Sequence, residues 1–337
     1  MKGILKNMVV AAAIVFSMLS CDIDAKFETR IPVHALVNMV KSATATIGSE
    51  TVPGTVDNNE HTIVFVFNDA SDFSDALVRI VYSPRTVCLE GALEEFNTDL
   101  SGTYSFVVNN QEEDFTYTVT ASRAAVRQVD RAQCSVVLGL DNDADPEKIN
   151  DSGNNRDASY LFDGKWMSKK AAYSEVGYRH FGWNMTSSGT PPVGPDGKQF
   201  GNAYTVDFGD TMRVAKMRFW PYYPYEGNAA ALFEIYAYTL DGEPSGDWTG
   251  WQMIAEVDDS EKWQIVKNAD PGSADDLCTE GTVVEFDYNA VPDARYYRVK
   301  IVKNFYAFFQ TAMDQYWSGR QFWYSVSELE IWKYNLE

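Results

Sequence analysis

An all-β chain of two successive sandwiches is predicted by three features. Apolar and polar residues alternate at period two in short runs along the chain. No amphipathic helical stretch of three turns stands out. All nine tryptophans lie at or beyond Trp166, so the two halves differ in composition. The 337 residues suit about two domains of roughly 150 residues each. Apolar residues make up 45% and charged residues 23%, proportions that support packed cores.

The chain opens with Lys2 and Lys6 and an apolar run from Met8 to Leu19. That run is too short for a bilayer core of about 30 Å, which needs about 20 residues, and residues 1–20 read as a secretory signal peptide. The run ends at Ser20-Cys21. A small residue before a cysteine resembles the bacterial lipoprotein cleavage box, although Met18 and Leu19 stand where a branched aliphatic and a small residue are usual. The resemblance implies that Cys21 becomes the acylated first residue and that residues 21–34 form a tether. A plain secreted protein with an incidental cysteine is the alternative. Asp22, Asp24 and Glu28 resemble the acidic stretch of surface-exported Bacteroidetes lipoproteins, which implies an outer-membrane protein facing the cell exterior.

Residues 35–122 read as the first sandwich. Strands are predicted over 62–67, 76–82, 104–109 and 115–121; Tyr117-Thr118-Val119-Thr120 shows the alternation of a half-buried strand. Asp57-Asn58-Asn59 and Asn109-Asn110 supply turn chemistry. The segments 55–63 and 114–121 resemble the immunoglobulin-like modules near the start of many Bacteroidetes surface lipoproteins. Residues 123–132 read as a linker.

Residues 133–337 form the second domain. Strands are predicted over 203–208, 213–219, 232–240, 252–257, 282–288, 296–302 and 326–333. In the last, Leu329 and Ile331 share one face and Glu328 and Glu330 the other. Cys88, Cys134 and Cys278 lack the short spacings of a zinc or redox motif and read as buried free thiols; a Cys134–Cys278 bridge is an open alternative.

Composition narrows function. With 28 Lys and Arg against 48 Asp and Glu, the net charge is −20, which disfavours nucleic acid and direct contact with anionic membrane. Membrane association is expected through the lipid anchor only. Three histidines leave little for histidine catalysis or a multi-histidine metal site. Asp141-Asn142-Asp143 opens like an EF-hand loop but meets Pro146 and Ser152 where glycine and glutamate are needed, so it reads as a solvated acidic loop. Asp207-Phe208-Gly209 matches a kinase triplet without the accompanying glycine-rich loop. No G-x-S-x-G elbow is present, and among 48 acids any carboxylate pair can be named, so a glycoside-active enzyme is a remote alternative.

Five segments in order carry a specific resemblance: Ala158–Gly164 (ASYLFDG), Tyr204–Asp210 (YTVDFGD), Phe233–Tyr236 with Trp251-Gln252, Ala294–Val299 (ARYYRV) and Val326–Trp332 (VSELEIW). Together they resemble the discoidin domain, also called the coagulation factor V/VIII C-type or galactose-binding-like fold. The insertions at 219–225 and 247–251 resemble the discoidin-type domains of Bacteroidetes lipoproteins encoded beside glycan-import systems. The resemblance implies a jelly-roll β-sandwich whose members bind sugars, lipids or proteins. It also implies a structural calcium near Asp163 and Glu328, although Lys165-Trp166-Met167 replaces the family's next motif and puts a lysine beside the site; a metal-free Asp-Gly turn is favoured. No other cofactor is expected. Asp210-Thr211-Met212 matches the Bacteroidetes O-glycosylation acceptor pattern in an expected turn, with an unmodified Thr211 the plainer reading.

The aromatic loops are the informative feature. Trp220, Tyr222, Tyr223 and Tyr225 follow one strand, Phe305, Tyr306, Phe308 and Phe309 another, and Tyr316, Trp317, Phe322, Trp323 and Tyr324 precede the last. About half are expected to pack as a satellite core. Pro221 and Pro224 stiffen the first loop against folding inward. Tyr222, Tyr223 and Tyr225 are the expected stacking platforms, with Trp317 or Trp323 opposite and Arg320 and Asn304 as hydrogen-bonding groups; Trp220 and Trp332 read as structural. The expected function is glycan capture beside an outer-membrane importer, with a protein-binding or adhesive module as the main rival.

Overall fold

The structure, a computed structural model, describes residues 38–70, 72–140, 143, 158–166, 193–198, 202–222, 226–262, 275–309 and 324–336. The chain is all-β and divides into two compact units between Arg123 and Ala124.

The first unit holds β1 (Val40–Ile47), β2 (Glu50–Asp57), β3 (Thr62–Phe67), β4 (Ala76–Tyr82), β5 (Val87–Cys88), β6 (Glu95–Thr98), β7 (Tyr104–Asn109) and the first part of β8 (Asp114–Gln128). The four predicted strands are present. The strands 40–47 and 50–57 were not predicted, because their Thr- and Ser-rich sequence carries a weak apolar alternation. One sheet runs β2-β1-β4-β6 and the other β2-β3-β8-β7-β5, so β2 belongs to both. Its first half, to Pro53, pairs with β1; from Gly54 onward it pairs with β3. A Cβ on Gly54 would lie 2.7 Å from the Phe65 ring, so glycine is required where the strand changes sheets. Ile63, Phe65, Val78, Ile80, Phe106, Val108, Tyr117 and Val119 fill the core between the sheets, following the period-two pattern.

The expected linker over 123–132 is largely ordered structure: β8 continues to Gln128, and a 3-10 turn follows at Arg131–Gln133. The reason is pairing, since Ala124–Gln128 run antiparallel to the end of the last strand, Trp332–Leu336.

The second unit contains β9 (Ser135–Val137), β10 (Asn202–Met212), β11 (Val214–Pro221), β12 (Ala230–Tyr238), β13 (Trp251–Asp258), α1 (Asp275–Glu280), β14 (Thr282–Glu285), β15 (Ala294–Asn304), α2 (Tyr306–Phe309) and β16 (Val326–Leu336). A five-stranded antiparallel sheet, β13-β12-β15-β10-β9, faces a second sheet of β14, β11, β16 and the end of β8. Tyr204, Val206, Phe208, Phe233, Ile235, Tyr297, Val299, Met217, Leu329 and Ile331 interdigitate between them. The arrangement is the β-sandwich expected for this half. At one end lie the close of β11 and β15 and the starts of β10, β12 and β16. At the other lie the closes of β10 and β12 and the start of β15. The three cysteines described are free thiols; only Cys278 is fully buried, and Cys88 is exposed, against the expectation that all would be buried.

Candidate functional site

Three loop roots meet at the first end of the second unit. The Phe305 amide donates to the Ala229 carbonyl at 3.2 Å, and the Ser325 amide donates to the Asn228 carbonyl at 3.3 Å. Gly227 packs directly on Tyr306, leaving no room for a Cβ, which would lie 2.4 Å from the ring. The roots of the segments after β11, after β15 and before β16 are thus stitched together by backbone bonds. A cavity of about 20 Å³ among Phe219, Trp220, Leu277 and Tyr324 has room for about one water and no more.

Two expected site residues are corrected. Tyr222 is fully buried, so it offers no face for stacking. Pro221, instead of holding the loop away from the body, is itself buried and paired with Val326 at the edge of the sheet. Asn304 is also fully buried, and its Oδ1 accepts from the Ala307 amide at 3.0 Å, capping α2. Trp220 is buried as expected of a structural residue, stacks on Trp166 at 4.4 Å and donates through Nε1 to the Thr279 carbonyl. Tyr223, Tyr225, Trp317, Arg320, Trp323 and Cys21 lie outside the described residues. Thr211 is exposed near the end of β10 and not in a turn. It borders a cleft of about 340 Å³ at the opposite end, with Tyr238, Glu243, Arg295 and Tyr296.

The discoidin resemblance implies a calcium ion at Asp163 and Glu328. Asp163 Oδ1 accepts from the Lys165 amide at 2.9 Å, and Glu328 Oε2 accepts from the Gly164 amide at 2.9 Å. Facing Glu328 is the Arg131 guanidinium, with Nε 3.1 Å from Oε1, and its Nη2 donates to Glu330. Calcium needs six to eight oxygens at about 2.3–2.6 Å. The guanidinium occupies the approach to Glu328, so these residues do not fit the ion. Burial pushes the Glu328 carboxyl up to about 8, opposed by Arg131 and the Gly164 amide and reinforced by Asp163.

A second cluster escaped sequence reasoning. On the outer face of the five-stranded sheet, Arg298 is fully buried. Its Nε donates to Thr205 Oγ1 at 3.0 Å. Nη1 donates to the Asp247 carbonyl at 2.9 Å and Nη2 to the Ser245 carbonyl at 3.2 Å. Asp143, with a side chain 1% exposed, lies 3.1 Å from Nε. The guanidinium sits over the rings of Trp248 and Trp251, 4.9 and 4.4 Å from their centroids. In the next row Lys300 Nζ donates to both oxygens of Glu234, at 2.9 and 3.1 Å. Asp143 itself is therefore a buried ion-pair partner, against the expectation of a solvated side chain. Burial pushes its carboxyl up to about 6, against the pull of Arg298 and Thr205. The arrangement clamps residues 245–247 onto the sheet. The one sequence signal was Arg298 at a position that alternation assigns to the outer face, with Trp248 and Trp251 far away in the chain.

Comparison with known proteins adds the following. The family DUF5000, a domain of unknown function, matches residues 182–333. No curated protein matches. Solved structures similar to this chain include a SusE-like protein, 17% identical over 78% of this chain and 94% of that one, with TM-score 0.45. A family 32 carbohydrate-binding module from Clostridium perfringens NanJ in complex with galactose is 12% identical over 62% and 100%, with TM-score 0.35. The C-terminal domain of a Bacteroides fragilis chitobiase is 14% identical over 63% and 99%, with TM-score 0.33.

Proposed function

We propose that this protein is a non-catalytic, lipid-anchored glycan-binding protein of the cell surface, facing outward from the outer membrane as an accessory to a polysaccharide importer. The observation that carries the reading is the meeting of the three loop roots, Ala229 to Phe305 and Asn228 to Ser325. The segments that spring from them contain Tyr223, Tyr225, Trp317, Arg320 and Trp323, the residue types that bind a sugar's apolar faces and its hydroxyl rim. The resemblance to discoidin domains points the same way. The short apolar run ending at Ser20-Cys21 supports the anchor, because several acyl chains on one residue give stable attachment where a single chain does not.

A glycan array probed with the chain lacking residues 1–20 is the first test, followed by calorimetry on a bound glycan. Tyr223→Ala and Arg320→Ala should each weaken binding several-fold without unfolding, since one stacked ring contributes about 1 kcal/mol beyond burial. Unchanged affinity in both moves the site elsewhere. Absence of binding across a broad panel, with a protein partner recovered from membranes, establishes the adhesive alternative. Cys21→Ala should release the protein into the soluble fraction, and retention with membranes overturns the anchor.

A further inference from the structure

We infer that the Arg131 guanidinium is a resident cation. It stands where the discoidin resemblance implies a calcium ion, balancing Glu328 and Glu330 beside Asp163, so that this unit does not depend on metal. Three acids from two parts of the chain converge here. Asp163 and Gly164 follow the 3-10 turn Ala158–Phe162, and Glu328 and Glu330 lie on β16. Glu328 is fully buried and Glu330 nearly so, at 0% and 9% exposure. A buried carboxylate needs a compensating charge close by, or it becomes neutral. Arg131 supplies part of that charge, through the 3.1 Å approach of Nε to Glu328 and the bond of Nη2 to Glu330, while burial still holds the Glu328 carboxyl above its usual range. The Gly164 amide completes the shell on Glu328.

The backbone is shaped for the arginine. Gly164 has φ +77°, and a Cβ there would lie 3.1 Å from Arg131 Nη1. The glycine thus serves twice, allowing the left-handed turn and leaving space for the guanidinium plane. Arg131 itself stands in the 3-10 turn that follows β8, where Asp130 accepts the Ala132 amide and holds the turn closed. A cation carried by the chain cannot be removed by chelation or by competing acidic polymers. The pairing closes a contact of large sequence separation, 131 to 328, without depending on ion supply. This inference is independent of what the loops bind.

The test uses Arg131→Met, which keeps much of the stem and removes the charge, with terbium and calcium as probes. In wild type, thermal unfolding should be the same in chelator and in millimolar calcium, and terbium should give no luminescence sensitised by Trp166. Arg131→Met should unfold several degrees lower in chelator, recover in calcium, and give terbium luminescence that calcium competes away. Arg131→Met with Glu328→Gln should lose both the recovery and the luminescence. If Arg131→Met does not fold in chelator, refolding on addition of calcium supports the inference and failure to refold overturns it. Calcium-dependent stability of the wild type overturns it, as does Arg131→Met unmoved by either ion.

Discussion

Two arginines in the second unit face buried acids, and they are built differently. Arg298 is fully buried and is met from every side: by Asp143, by Thr205, by the carbonyls of Ser245, Gly246 and Asp247, and by two tryptophan rings. Arg131 has a side chain 36% exposed, and the side-chain groups it meets are the carboxylates of Glu328 and Glu330. A guanidinium whose forked donors are spent on fixed carbonyls acts through its geometry, and nothing else has that shape. A guanidinium that mainly balances carboxylates acts through its charge, which another cation could supply. The first site is a clamp on the 245–247 segment and the second is a counter-ion.

Substitutions at the two sites test whether geometry or charge does the holding. Arg298→Met should cost the most, about 3–5 kcal/mol, because it strands the buried Asp143 and several carbonyls. Urea denaturation measures it, and neither calcium nor salt should restore the loss. Adding Asp143→Asn should recover part of it. A loss no larger than that of Arg131→Met would mean the clamp is dispensable.

Arg131→Met should cost less, about 1–2 kcal/mol in chelator, since the site is open to solvent on one side. The same denaturation series compares the two variants directly.

The pH dependence separates the two acids. Burial raises both carboxyls in the folded state, Glu328 from 4.5 to about 8 and Asp143 from 3.8 to about 6. A raised carboxyl binds its proton more tightly when folded. Its contribution is therefore present below the unfolded value and is lost as pH rises through the folded one. The wild type should lose stability between about pH 4.5 and 8 through Glu328 and between about pH 4 and 6 through Asp143. Glu328→Gln should flatten the upper part of the profile and Asp143→Asn the lower part. A profile unchanged by either substitution would show that these carboxyls keep one protonation state across the range.

Gly164→Ala should have the smallest effect, about 1 kcal/mol, from the left-handed backbone and the crowding of Arg131. In an Arg131→Met background the crowding part should disappear, so the two losses should be less than additive.

The predicted strands 62–67, 76–82 and 104–109 coincide with β3, β4 and β7, because each has one apolar face on a core and alternation reports that face. Strands 203–208, 252–257 and 326–333 fall inside β10, β13 and β16 for the same reason. The short β9 and β5 gave no signal, being two or three residues long. At the loop end, aromatic content was visible but orientation was not. Tyr222 and Tyr223 are adjacent and of one type, and nothing in the sequence says that the first turns into the body. Asn304 looked like a donor for a ligand because amides serve that role, whereas here the amide caps a helix.

Periodicity, turn residues and the ordered segments shared with discoidin domains were sufficient to determine an all-β chain with a sandwich in its second half. These are local properties, set by which face of each strand avoids water. Only the tertiary structure decided the fate of the polar residues on the opposite faces. Thr205, Glu234, Arg298 and Lys300 alternate as solvent-facing residues should, yet Thr205, Arg298 and Lys300 are buried, under segments distant in sequence. The same is true of Glu328, whose partner lies 197 positions earlier at Arg131. Burying a charge is tolerable only when an opposite charge and hydrogen-bond partners arrive from elsewhere in the chain. That arrival is a matter of three-dimensional closure, which no local pattern encodes.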